Sequence, residues 1–177
     1  MFYKMTEKSR FKSFEELTAK SRKSTEKTLK PRRGSRYERY RVARLMAVQA
    51  AYEANQNRLP YQRVTKSFLE FRFKNHDHPI IPDRELFLHL MKSLETRKDQ
   101  IDDILEKIVV GTWTLEALDA VLKSILTVGI AELLDPYKDA PKPLLISEYV
   151  EVGKGFFDDK EAGYINRALD SVLKKLS

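Results

Sequence analysis

Residues 115–133 read LEALDAVLKSILTVGIAEL, and this stretch decides the fold class. Leu115, Leu118, Val121, Leu122, Ile125, Leu126, Ile130 and Leu133 recur at spacings of three and four, the period of an α-helix. Their apolar surface is wider than one contact face, so neighbours must cover the helix from several sides. The stretch therefore predicts a central, buried helix, with Thr114 as its N-cap because a Thr hydroxyl can accept from an unpaired amide of the first turn.

The flanking sequence supplies the covering helices. Downstream, residues 135–143 form a connection rich in Pro, Lys and Asp. Ile146, Tyr149 and Val150 then mark a helix over residues 144–155. Asp158 or Asp159 starts a last helix, with Ile165, Leu169, Val172 and Leu176 expected to face the core. Upstream, Ile101, Ile104, Leu105 and Ile108 give a helix ending near Gly111. Leu86, Phe87, Leu90, Met91 and Leu94 give another, opened by Asp83. Val64, Phe68, Leu69 and Phe71 follow Pro60 as a short helix, and residues 74–82 read as a loop. From Tyr37 to about Asn57 runs a helix with Val42 and Met46 on its apolar side, in which Ala43, Ala47 and Ala51 permit close approach of neighbours. No sustained period-two alternation occurs. The expectation is an all-α protein of about seven helices.

Charge is unevenly placed. The chain of 177 residues carries a formal net charge of +7, but residues 1–44 alone hold 15 Lys/Arg against 5 Glu, leaving the remainder net acidic. Residues 1–33 are predicted to be a basic, largely disordered extension, with only Phe11, Phe14 and Leu17 hinting at a short helix, and residues 34–177 a single helical domain. Such local basicity attracts phosphates by Coulomb force and counterion release. The alternative is a solvated tail. No apolar run reaches the roughly 20 residues of a membrane span, and no secretory or transit signal is evident, so a cytoplasmic location is expected.

The residues that would carry catalysis are sparse. There is no cysteine, no glycine-rich phosphate loop and no nucleophile elbow, so no enzyme is expected, and no cofactor. His76 and His78 flank Asp77, but nothing near them completes a metal-ligand set. Glu95, Asp99, Asp102, Asp103 and Glu106 form an acidic group that either faces a basic protein or is simply solvated.

The arginines are more informative. Arg32 and Arg33 precede the first helix, and Arg36, Arg39, Arg41 and Arg44 wrap around its start instead of forming one stripe. Tyr37 and Tyr40 lie among them, in the combination of cations and stacking rings that single-stranded RNA recognition uses. Against this, the tyrosines would serve equally well as core residues.

Arg39-Tyr-Arg-Val-Ala-Arg44-Leu-Met-Ala-Val-Gln49-Ala-Ala-Tyr52 resembles the opening of the NusB family. Residues 121–133 resemble that family's central helix ending in Glu132-Leu133, and Ile146-Ser147-Glu148 with Tyr164-Ile165-Asn166-Arg167-Ala168-Leu169-Asp170 resemble its C-terminal signatures. The resemblance spans about residues 36–176. It implies two packed three-helix bundles and binding of the boxA sequence in ribosomal RNA leaders. It also implies pairing with NusE, a small-subunit ribosomal protein, in a complex that keeps RNA polymerase elongating. By position it gives Arg36, Arg39, Arg41 and Arg44 to RNA, while Gln49, Tyr52, Glu132, Glu148 and Asn166 occupy motif positions that can be structural. It leaves open a monomer or a homodimer, and a role in ribosomal RNA maturation or kinship with the RNA-binding module of a ribosomal RNA cytosine methyltransferase. Ser147, Thr127 and Arg167 depart from the usual Asn, basic residue and Gly.

Overall fold

A computed structural model of the chain describes residues 31–75, 78–109 and 118–176. The described residues form seven helices. They are α1 (Arg36–Asn57), a composite α2 (Tyr61–Ser67, Phe68–Arg72 and Phe73–Asn75), α3 (Arg84–Thr96), α4 (Lys98–Ile108), α5 (Ala120–Leu134), α6 (Lys142–Lys154) and α7 (Asp159–Leu176). Among the described residues there is one isolated bridge, between Arg32 and Ile80. The expected basic extension as far as Lys30, including Phe11, Phe14 and Leu17, lies outside the described residues, as do His76, Asp77 and Gly111.

As its breadth of apolar surface requires, α5 is the central element, packed against α1, α3, α4, α6 and α7. From Leu122 to Leu133 every residue except Lys123 is buried. The helix starts later than Thr114, which is itself outside the described residues. Asp119 caps α5, accepting from the amides of Val121 and Leu122, and Leu118 packs in the core from the turn before it. An Asp cap satisfies two first-turn amides and places negative charge at the positive end of the helix dipole, which here outweighs the continuity of the apolar pattern upstream.

α1, α2 and α3 pack on one another, as do α5, α6 and α7. α6 and α7 approach closely because Gly153 offers no Cβ, and one placed there would lie 2.3 Å from Ile165 Cδ1. Asp83 caps α3 as expected, accepting from the Leu86 amide at 2.9 Å. Pro143 stands in the first turn of α6, where no amide donor is missed.

α2 departs from the simple short helix. It runs Tyr61–Ser67, widens into a π-turn at Phe68–Arg72, and closes with Phe73–Asn75, within what the sequence suggested was already loop. The Phe73 amide reaches back to the Phe68 carbonyl, five residues instead of four. This keeps Phe68 buried, with the Arg72 guanidinium 4.7 Å above its ring, but turns Phe71 outward to 61% exposure. Phe71 is thus not part of the apolar face on which the pattern placed it. Leu176 is also exposed, because it lies in the final turn of α7 beyond the last covering neighbour. The acidic group around α4 is largely paired within the chain: Lys98 with Asp102, Lys107 with Asp103, and Gln62 with Glu95.

Candidate nucleic-acid interface

The start of α1 is built by a capping box. The Ser35 hydroxyl accepts from the Glu38 amide at 3.2 Å, and Glu38 Oε2 accepts from the Ser35 amide at 2.7 Å. Gly34 leads into it at φ +70°, a left-handed conformation that favours glycine. Arg32 donates its amide to Pro79 and accepts from Ile81, fastening this lead to the loop before α3. Its side chain pairs with Glu38. These partners hold the Glu38 carboxyl well below its ordinary value, at about 2, through hydrogen bonds from Arg32 and Ser35.

The helix geometry sorts the arginines into separate roles. Arg33 and Arg36 are exposed and form no ion pair among the described residues. Arg36 lies 5.9 Å from the centre of the Tyr37 ring, which is 62% exposed. Together these are a solvent-facing cationic and aromatic surface. Arg39 is partly buried and pairs with Asp83 at 3.2 Å, while the Asp83 amide also donates to the Arg39 carbonyl, so this residue ties α1 to α3. Tyr40 turns from solvent to pack edge-on against Tyr137 at 5.9 Å. Arg41 is half exposed and grips Glu148 with two hydrogen bonds, at 3.2 and 2.8 Å.

Arg44 lies in the interior, 4% exposed. Its Nε and Nη2 donate to the two oxygens of Glu132, each at 2.8 Å, in the forked geometry that guanidinium and carboxylate share. Tyr149 donates its hydroxyl to the same Glu132 at 2.6 Å, and Glu148 stands 3.6 Å from Arg44 Nη1. Burial opposes the charge on Arg44, but the hydrogen bonds and charge of Glu132 more than offset this and raise its pKa. Burial, reinforced by the Glu132 charge, also pushes the Tyr149 hydroxyl well above its ordinary value. The network joins α1, α5 and α6 at their mutual contact. Its Arg44 is not presented to a phosphate at the surface.

The motif residues divide in the same way. Glu132 and Glu148 are network members, Gln49 and Tyr52 are half-buried, and Asn166 is exposed on α7. Thr127 donates to the Lys123 carbonyl and Ser147 to the Pro143 carbonyl, so both departures from the family pattern close hydrogen bonds on their own helices. Arg167 is exposed. His78 uses Nδ1 to accept from the Ile80 amide, and among the described residues no cluster of three potential metal ligands forms. Sequence reasoning missed Tyr149 as a partner of Glu132. The available signal was a carboxylate inside an otherwise apolar helix, which needs a donor from another element.

No helix of the described residues is long and apolar enough to cross a membrane. Residues 41–174 match the model of the NusB family. The transcription antitermination protein NusB of Caulobacter vibrioides is 35% identical over 145 residues, covering 80% of this chain and 96% of that protein. The protein of the same name from Sphingopyxis alaskensis is 36% identical over 140 residues, covering 75% and 91%. Among solved structures, T. maritima NusB superimposes with a TM-score of 0.62 at 21% identity, over 76% of this chain and 90% of that one, a likeness of fold. The chain belongs to the NusB family.

Proposed function

We propose that the protein is a non-catalytic adaptor that binds single-stranded boxA-type RNA of ribosomal RNA leaders, pairs with NusE, and supports processive transcription in the cytoplasm. The observation that carries this reading is the exposed set Arg33, Arg36 and Tyr37 at the head of α1, with the half-exposed Arg41 one turn on. Guanidinium groups without internal partners neutralise phosphates, and an exposed ring gives an unpaired base a stacking face. Arg32 and Arg39 supply further positive potential while holding the lead and α3 in place. Tyr40 and Arg44 support the surface from within instead of touching RNA. The basic residues before Gly34 add sequence-independent attraction for phosphate.

The test is fluorescence anisotropy on a boxA-like RNA and a scrambled control, with and without NusE, across a salt series. The wild-type chain is expected to prefer the boxA-like RNA, more so with NusE. Arg33→Glu/Arg36→Glu should weaken binding by about tenfold or more and flatten the salt dependence. Equal, weak binding to both RNAs by the wild-type protein would refute the reading.

A further inference from the structure

A cleft of about 490 Å³ opens between the first turn of α1, the end of α2 and the start of α3. Its floor is apolar: Leu69 and Phe73, one turn apart on α2, and Ile81 and Pro82 from the segment before α3. Its rim is cationic, formed by Arg39, Lys74 and Arg84, with Glu70 the one carboxylate among the lining residues. Glu70 is approached by Lys66 from its own helix, at 4.0 Å, which draws on its charge. Lys74 and Arg84 are exposed and form no ion pair among the described residues. Arg39 spends a terminal nitrogen on Asp83, while its Nε is buried without a hydrogen-bond partner.

An apolar floor beneath a positive rim is complementary to a nucleotide, which has an apolar face on its base and a negative charge on its phosphate. Arg39 also stands one helical turn beyond Arg36, a separation of about 5–6 Å between side-chain roots, so the cleft continues the exposed cationic head of α1. We propose that it holds one unpaired nucleotide of the bound RNA, with the base against Leu69, Phe73, Ile81 and Pro82 and the phosphate among Arg39, Lys74 and Arg84. This rests on the RNA-binding reading above and extends the RNA path past α1 towards α3.

The test is Lys74→Glu/Arg84→Glu in the full chain, two exposed positions, with folding checked by circular dichroism. Fluorescein-labelled single-stranded RNAs are used, each comprising a boxA-like core alone or extended by three nucleotides at one end. The wild-type protein should gain affinity from one of the extensions. The double variant should lose that gain, roughly tenfold, with a salt slope shallower by about 0.7, the value for one phosphate contact on a single strand. A 5-iodouridine in that extension should crosslink to Phe73. If the double variant binds every RNA as the wild type does while Arg33→Glu/Arg36→Glu loses binding, the cleft inference fails and the RNA reading stands. If the wild type shows no RNA preference, both fail. If the double variant keeps RNA affinity but loses NusE, the cleft serves a protein partner and the inference is overturned.

Discussion

Replacing Arg44 by Ala would leave Glu132 charged, 0% exposed and held by the Tyr149 hydroxyl alone. Removing one partner of a buried ion pair costs about 3–5 kcal/mol, because the remaining charge stays desolvated without compensation. A domain of this size has on the order of 5–15 kcal/mol to lose and shifts its Tm by about 2–4 °C per kcal/mol, so a fall of roughly 6–20 °C is expected. Arg41→Ala is the matched control. It removes an arginine with the same bidentate geometry, but one whose side chain is half in water and whose buried partner Glu148 keeps Arg44 at 3.6 Å, so a smaller loss of about 1–2 kcal/mol is expected. Urea unfolding followed by circular dichroism gives both values by linear extrapolation. Arg44→Met/Glu132→Leu, which removes both charges, should recover much of the stability lost in Arg44→Ala. If Arg44→Ala destabilises no more than Arg41→Ala, the assignment of Arg44 to the interior network is wrong. An accompanying loss of RNA affinity in a folded Arg44→Ala protein would return that residue to the binding surface.

Two further outcomes follow from the packing around α6. Because the folded Tyr149 hydroxyl has its pKa raised above the ordinary value near 10, its contribution to stability is complete below that value and is lost as pH rises towards the folded one. Tyr149→Phe should therefore lower stability at neutral pH by about 1–3 kcal/mol, the value of a hydrogen bond to a charged acceptor, yet show a gentler decline above pH 10 in urea titrations. A decline identical to wild type would contradict this. Gly153→Ala sets a methyl group against Ile165, and should cost about 1–3 kcal/mol in thermal or urea unfolding unless Ile165 changes rotamer freely, which a neutral result would reveal.

The helices were legible because their apolar residues keep the α-helical period and because Asp83 and Pro143 punctuate it locally. The start of α5 at Ala120 is hidden in the sequence for a physical reason: Leu115 and Leu118 continue the apolar spacing, while the capping Asp119 resembles any polar residue on a helix. The candidate site was less legible. Six arginines crowded into thirteen residues look alike in sequence, yet Arg44 shares its stripe with the buried Ala47 and Ala51, whereas Arg36 opens α1 and Arg33 precedes it, both exposed. What separates a structural from a binding arginine is the carboxylate it meets, and Glu132 and Glu148 lie 88 and 104 residues further along the chain. The cleft was invisible for the same reason, since its walls come from three separated segments without a shared motif.

The π-turn in α2 has a bearing on how this chain can change in length. With the Phe73 amide bonded five residues back, α2 carries one residue more than an α-helix needs to span the same distance. Deleting a residue within Phe68–Arg72 would let the turn relax to ordinary pitch and leave both ends of α2 seated on α1 and α3. The same deletion in α5 would rotate every later side chain by about 100° and turn the interior outward. At this π-turn a codon can thus be dropped while the neighbouring helices stay in register.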